Sequence, residues 1–324
     1  MGAAYWIGFD LGGTKMIASL LDENYAILSR VKKRTEPQEG NGAVLKRIAA
    51  AIEEVILTSG VPRSDIRGIG LAAPGTLDRE AGIVINTPNL GFENIPLQSY
   101  IEEETGLPVC LDNDVNAGTF GEFIKGAGRG FRNLMGVFLG TGIGGGLIIN
   151  GQMYRGANGN AGEVGHMILQ TDGPLCGCGQ QGCLESLASR LSLAKDAVSL
   201  AASGKAPVLL GLAGTDISGY KSGVFAKALR KRDPVTRDLI KRGAQYLGIG
   251  LANCVNLLNP EAIILGGGLV EKLGAPFIKQ TVKSLRAHSL PGLIEDVRVM
   301  AAELGDDAAL VGSAALAALE FKER

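Results

Sequence analysis

Tyr5-Trp6-Ile7-Gly8-Phe9-Asp10-Leu11-Gly12-Gly13-Thr14-Lys15-Met16-Ile17-Ala18-Ser19-Leu20-Leu21 is an apolar run, a glycine turn and a second apolar run. The spacing predicts a strand over residues 5–10, a turn at Gly12-Gly13 and a strand over 15–21. A turn at 22–24 and a third strand over 26–32 follow. The pattern then returns. A strand over 134–139 enters a glycine-rich turn over 140–146, and a strand over 147–149 leaves it. The Asn150-Gly151 hairpin turn leads to more strand over 152–154. The copies share pattern more than identity. A duplicated unit predicts two similar halves facing each other across a cleft, a usual place for a ligand.

Outside the two copies, strands alternate with helices. Helical periodicity covers 44–59 and stops at Gly60, with Pro62 beyond. Residues 66–72 suit a short buried strand. A helix over 97–105 is stopped by Gly106 and Pro108, and a strand over 109–111 leads into Asp112-Asn113-Asp114. The later half gives a helix-rich stretch over 184–203, a loop around 211–223 and a long helix over 234–258. Strands over 262–265 and 297–301 and an Ala-rich helix over 307–321 complete the chain. This is the alternation of an α/β fold. The 324 residues exceed what one core usually supports. The expected division is a small N-terminal α/β domain of residues 1–121 plus about 307–324, the last helix crossing back onto it. Residues 122–306 form a larger C-terminal α/β domain.

Composition narrows the function classes. Hydrophobic residues make up 46% and charged residues 20%, the profile of a globular protein. Thirty-two basic and 33 acidic residues give a net charge of −1, so nothing pulls toward nucleic acid or an anionic membrane. Asp10 breaks the first apolar run, no basic segment precedes it, and no secretory signal is expected. Five Cys, three of them crowded between 176 and 183, argue against a disulfide framework and fit a reducing, cytoplasmic compartment.

The turn Asp10-Leu11-Gly12-Gly13-Thr14-Lys15 lets backbone N–H groups approach a phosphate, with Thr14 as a hydroxyl donor. Asp10 beside a polyphosphate requires an intervening hard cation, and Mg²⁺ is the ion that joins carboxylate to phosphate oxygens. Otherwise the segment is a glycine hairpin with a surface acid. Gly140-Thr141-Gly142-Ile143-Gly144-Gly145-Gly146 offers the same cradle. It is neither a Walker A loop nor a dinucleotide fingerprint, since no Gly-Lys-Ser/Thr follows and it lies between strands. Gly266-Gly267-Gly268 follows a strand and could let a nucleoside lie flat on backbone. Together the three clusters point to a nucleotide.

Asp114 is a candidate base for a hydroxyl attacking a γ-phosphate, and Asn113 can fix a sugar hydroxyl as donor and acceptor. Asp or Asn here also reads as the cap of a helix from about residue 117. Both roles can coexist. His166 with Cys176, Cys178 and Cys183 makes a closed tetrahedral zinc set, with Gly177, Gly179 and Gly182 letting the loop tighten. The alternative is three buried thiols and an unrelated His. Glu163 and Glu185 flank this loop and would be held rigidly enough to accept sugar hydroxyls, unless both are solvated surface acids.

These segments resemble the ROK family (repressors, open reading frames, kinases), most closely its bacterial glucokinase-type members. The matching pieces add Ala73-Pro74-Gly75, Asn86-Thr87-Pro88-Asn89-Leu90, Asp112-Asn113-Asp114-Val115-Asn116-Ala117, Glu163-Val164-Gly165-His166, Cys176-Gly177-Cys178-Gly179-Gln180-Gln181-Gly182-Cys183-Leu184-Glu185 and Leu265-Gly266-Gly267-Gly268. All run in family order. The resemblance implies two ribonuclease-H-like domains of the actin-like ATPase fold with an interdomain cleft and a zinc-binding loop over 166–183. It implies Asp114 as catalytic base, with Gly75, Asn89, Asn113, Asp114, Glu163, His166 and Glu185 lining the sugar. Around ATP and Mg²⁺ it places Asp10, Gly12, Gly13, Thr14, Lys15, Gly140, Thr141, Gly142, Gly266, Gly267 and Gly268. It places structural Zn²⁺ on His166, Cys176, Cys178 and Cys183. Family members are commonly homodimers or homotetramers. The chain departs at Asp112, where many members have Glu, and at Gly91-Phe92, which replaces a common Pro-Gly-Trp.

The expected activity is an ATP-dependent hexokinase acting on the 6-hydroxyl, with glucose leading. N-acetylmannosamine, N-acetylglucosamine, fructose and allose are alternative substrates. A non-catalytic sugar-sensing regulator is the second class. Such proteins carry an N-terminal helix-turn-helix extension, and the phosphate motif begins too near Met1 to expect one. An actin-like filament or chaperone ATPase has no need of the Cys/His cluster or of Glu163 and Glu185.

Overall fold

A computed structural model describes residues 4–87 and 89–321. Pro88 of the Asn86–Leu90 segment lies outside them. The chain opens with β1 (Tyr5–Leu11), β2 (Lys15–Leu21), β3 (Ile27–Arg34), α1 (Asn41–Ser59) and β4 (Ile66–Ala73). Three short strands follow, β5 (Thr76–Asp78), β6 (Ile83–Thr87) and β7 (Phe92–Ile95). Next come α2 (Leu97–Thr105), β8 (Val109–Asn113), α3 (Asp114–Lys125), β9 (Leu134–Leu139), β10 (Ile143–Ile149) and β11 (Gln152–Tyr154). The helical stretch holds α4 (Leu184–Ala188), α5 (Arg190–Ala202), α6 (Pro207–Ala213), α7 (Ser222–Arg230) and α8 (Pro234–Leu258). The chain ends with β12 (Ala262–Gly266), α9 (Gly268–Leu273), α10 (Ala275–His288), α11 (Pro291–Ile294), β13 (Arg298–Ala301) and α12 (Ala308–Phe321).

Two compact units result. One holds residues 1–132, 146–161 and 303–324, the other 133–145 and 162–302. The first keeps α3 whole. One five-stranded sheet is ordered β3-β2-β1-β4-β8, the other β11-β10-β9-β12-β13. The duplicated sequence pattern thus reappears as a duplicated strand order: two outer hairpin strands, the first strand, then two parallel strands. The division between units falls within β10.

In the first unit β1 is buried on both faces, which explains its unbroken apolar run. Ile7, Phe9 and Leu11 join a core with Val44, Ile48, Ile52 and Val55 of α1 and Leu97 and Ile101 of α2. Trp6 joins Leu21, Val311, Ala314, Ala317 and Phe321 on the other face, where α12 lies. That helix seats backbone to backbone. A Cβ on Gly8 would stand 2.1 Å from Leu310 O, and one on Gly70, its partner across the parallel β1–β4 pair, 1.9 Å from Ser313 O. Toward α3, a Cβ on Gly121 would meet Ala308 O at 2.0 Å and one on Gly312 would meet Ala117 O at 1.7 Å. In the second unit Gly250 of α8 lies against Leu184 and Gly243 against Leu193, fixing α4 and α5.

Several expectations are corrected. Residues 143–146 are strand rather than turn, and the turn is confined to 140–142. Gly145 and Gly146 are needed for close packing: a Cβ would meet Gly162 O at 2.6 Å in one case and Thr119 Oγ1 at 2.4 Å in the other. The helix expected from 117 starts at Asp114, because Asn113 caps it. The loop around 211–223 contains the end of α6 and the start of α7. The sheet β5-β6-β7, with α9, α10 and α11, was not anticipated; its strands are 3, 5 and 4 residues long, too short for a clear period. Among the described residues no helix is long and apolar enough to cross a membrane.

Gly312→Ala is expected to lower unfolding stability by about 1–3 kcal/mol, since the methyl group overlaps a backbone carbonyl. Gly42→Ala, in an exposed first turn of α1 with nothing within 4 Å, is the control and stays neutral or gains about 0.4–1 kcal/mol. Urea midpoints of the two variants distinguish them.

Candidate active site

In the first unit the glycine turn closes by Gly12 N–H donating to Lys15 O at 3.0 Å, and Thr35 Oγ1 donates to Gly12 O at 2.6 Å. A Cβ on Gly13 would lie 3.4 Å from Asn89 Cβ, so Asn89 stands beside this turn. Thr14 is exposed at its tip. Lys15, expected at the phosphates, pairs its ammonium with Asp306.

Asp10 is the penultimate residue of β1, within electrostatic reach of Asp114. Burial, then the Asp114 charge, pushes its carboxyl from the usual 3.8 up to about 7. A half-buried acid beside a second acid is the donor set of a hard divalent cation, so Mg²⁺ fits here and would relieve the penalty.

Asp114 is the first residue of α3, where the helix dipole favours a negative charge. Asn113 caps the helix, its Oδ1 accepting from Val115 N–H at 2.8 Å and Asn116 N–H at 3.3 Å. Its Nδ2 donates to Gly75 O at 3.3 Å. The cap occupies the amide oxygen, so what remains for a ligand is the second Nδ2 hydrogen. Gly75 has φ +91°, and a Cβ there would lie 2.1 Å from Asn86 O; only glycine fits.

Behind this pair sits a residue pair that sequence reasoning missed. Asp112 is buried, and its Oδ2 accepts from Arg155 Nε at 2.8 Å and Nη2 at 2.6 Å, with Arg79 Nε 3.7 Å away. Its Oδ1 accepts from Asn113 N–H and Asn116 Nδ2. Asp112 therefore anchors the start of α3. Arg155 lies far along the chain, and no local signal links the two. Glu122, also unanticipated, is fully buried and accepts from the N–H groups of Ala127, Glu303 and Leu304.

In the second unit the ligand atoms of His166, Cys176, Cys178 and Cys183 lie within 4.8 Å of one another. Cys178 Sγ is 3.7 Å from Cys183 Sγ, and Cys176 Sγ 3.7 Å from His166 Nδ1. A tetrahedron with Zn–S bonds of about 2.3 Å has S···S edges of about 3.8 Å, so the cluster fits Zn²⁺. Burial pushes the Cys176 thiol up to about 12 and raises Cys183, whereas the Gln180 N–H lowers Cys178. Three thiolates there require a cation. Gly179 and Gly182 have positive φ, and a Cβ on Gly182 would strike Gln170 O at 1.7 Å. Gly177 shows neither constraint.

The metal loop reaches the second glycine turn through Glu185. Its Oε2 accepts from Ile143 N–H at 2.9 Å, and Cys176 Sγ is 3.6 Å from its Oε1. A Cβ on Gly142 would overlap that carboxylate at 2.1 Å. His166 turns Nε2 toward Glu163, 3.9 Å from its exposed carboxylate. Gly267, at φ +85°, lies on the Leu139 backbone, placing the Gly266–Gly268 turn beside Gly140.

Two sheets of identical strand order, each with a glycine turn after its first strand, define an α/β protein of the actin-like ATPase class. Within that class the chain belongs to the ROK family, whose model matches residues 6–320. A glucokinase of Streptomyces coelicolor is 38% identical over 96% of this chain and 96% of its own length. A ROK family glucokinase from Streptomyces griseus, solved in complex with glucose and AMPPNP, is 37% identical. It superposes with a TM-score of 0.83, covering 97% of this chain and 99% of that one. The ROK hexokinase from Thermus thermophilus is 34% identical with a TM-score of 0.84, over 99% and 100% of the two chains.

Native Asp10 keeps its proton up to about 7, while the unfolded chain loses it near 3.8. Between those values the native state holds the extra proton, so metal-free stability falls as pH rises through this window. Asp10→Asn is expected to flatten that decline, read from urea midpoints across the range. Chelation is expected to release about one zinc per chain and lower the melting temperature, with Cys178→Ala reproducing the loss. Metal analysis and thermal melts check it.

Proposed function

We propose that this chain is an ATP-dependent glucose kinase, transferring the γ-phosphoryl group of ATP to the 6-hydroxyl. The observation that carries the reading is Asp114, held at the N-terminus of α3 beside Asp10 and the first glycine turn. The similarity to ROK glucokinases along nearly the whole chain supports the choice of glucose.

In the proposed reaction the sugar 6-oxygen attacks the γ-phosphorus in line. The new O–P bond forms as the bond to the β-phosphate oxygen breaks, and ADP leaves. Asp114 takes the hydroxyl proton late in the step, which is a carboxylate's part in phosphoryl transfer to an alcohol. Asn113 donates its remaining amide hydrogen to the sugar. Glu163, His166 through Nε2, and Glu185 bind further hydroxyls, with Gly75 and Asn89 lining the sugar. The turns at Gly12–Thr14 and Gly140–Gly142 cradle phosphates, and Gly266–Gly268 the adenosine. Asp10 would hold Mg²⁺, which would supply counter-charge to the phosphates of the donor. We further propose a cytoplasmic homodimer or homotetramer that acts without nucleic acid.

An ADP-release assay with Mg·ATP over hexoses and acetamido-hexoses is expected to give its highest kcat/KM with glucose. Asp114→Asn and Asp114→Ala should each lower kcat by about 10²–10⁴-fold while glucose binding by calorimetry persists. Wild-type turnover in both variants removes Asp114 from the base's role.

A further inference from the structure

The second glycine turn is held from one side by the first residues of α5. Arg190 N–H donates to Gly140 O and Leu191 N–H to Thr141 O, both at 3.3 Å. In a trans peptide the carbonyl and the following N–H point in opposite directions. With both carbonyls drawn to α5, the N–H groups of Thr141 and Gly142 face away from it. The Gly140 N–H is taken by Gly142 O at 3.0 Å. The next two donors of α5 are spent internally, Ser192 N–H on Ser189 Oγ and Leu193 N–H on Ser189 O.

The Arg190 side chain adds charge at this place. Its Nη2 donates to Thr141 Oγ1 at 2.6 Å and its Nη1 to Tyr220 O at 3.3 Å. A guanidinium has five N–H groups, so three remain. Among the described residues no carboxylate forms a salt bridge with Arg190. Partial burial draws its pKa down, and no acid offsets this. Thr141 Oγ1 accepts from Arg190, so its own proton is left to donate elsewhere. A half-buried cation without a counter-ion, a committed hydroxyl donor and two outward N–H groups fit an oxyanion with several acceptor oxygens.

We propose that Arg190 is a positioning residue of the phosphoryl-donor site: it fixes Thr141 as a hydrogen-bond donor to a phosphate of the bound nucleoside triphosphate and adds its charge there. The inference rests on the kinase reading above. It assigns a role to a side chain no motif singled out, and it makes affinity for the donor, rather than for the sugar, depend on α5.

The test is equilibrium binding of AMPPNP and of glucose to wild type, Arg190→Ala, Arg190→Lys and Thr141→Val, with steady-state kinetics alongside. Arg190→Ala is expected to weaken AMPPNP binding and raise KM for ATP by about tenfold or more, leaving glucose affinity within about twofold. Arg190→Lys restores the charge without the fork and falls between. In the Thr141→Val background the effect of Arg190→Ala shrinks, since the two act as one unit. A purely structural role would move melting temperature and both affinities together. AMPPNP affinity within about twofold of wild type in folded Arg190→Lys and Arg190→Ala overturns the proposal, and Arg190→Lys decides alone if Arg190→Ala does not fold. A wild-type protein inert toward every sugar would sink the kinase reading, while AMPPNP affinity would still decide the role of Arg190.

Discussion

The separation of Asp10 and Asp114 depends on a helix that four glycines let approach its neighbours backbone to backbone. α12 meets β1 at Gly8, β4 at Gly70 and α3 at Gly121 and Gly312, each at a distance that excludes a Cβ. β1 carries Asp10 near its end and α3 carries Asp114 at its start. Locking both to one helix fixes their separation, and interiors packed this closely resist small adjustments. The raised pKa of Asp10 is the electrostatic mark of that enforced proximity and burial.

Two buried acids complete the frame. Asp112 is surrounded by the Arg155 fork, Arg79 and two nitrogen donors around the cap of α3. Glu122 collects three backbone N–H groups where the chain turns toward α12. Burying a charge is costly unless its acceptors are satisfied: Asp112 is paired and hydrogen-bonded, and Glu122 is hydrogen-bonded by backbone N–H groups. Their effect is conformational: one sets the entry of α3, the other its exit.

The second unit uses a different device. Ile168 and Leu175 of its loop over 166–183 stand exposed, and a Zn²⁺ held by His166 and the three thiols would supply the rigidity instead. Glu185, two residues past the last thiol, passes that rigidity to the second glycine turn through Ile143 N–H. A carboxylate proposed to bind sugar is thus positioned by the loop that holds the metal and by the turn proposed to hold phosphate.

The sequence by itself determined the elements whose cause is local. The duplicated strand–turn–strand pattern, the glycine turns, the bounds of α2 and α8 and the His166–Cys183 ligand set follow from periodicity, capping and spacing, which a single chain displays. The short strands β5 to β7 and the strand character of Gly144 to Gly146 were not legible, because their conformation answers to neighbours rather than to propensity. Only the tertiary structure decided that Arg155 clamps Asp112, that Lys15 turns to Asp306 and that Arg190 bears on Thr141. Each joins residues distant in sequence, and such pairings exist only once packing has fixed which side chains share a dry, low-dielectric space.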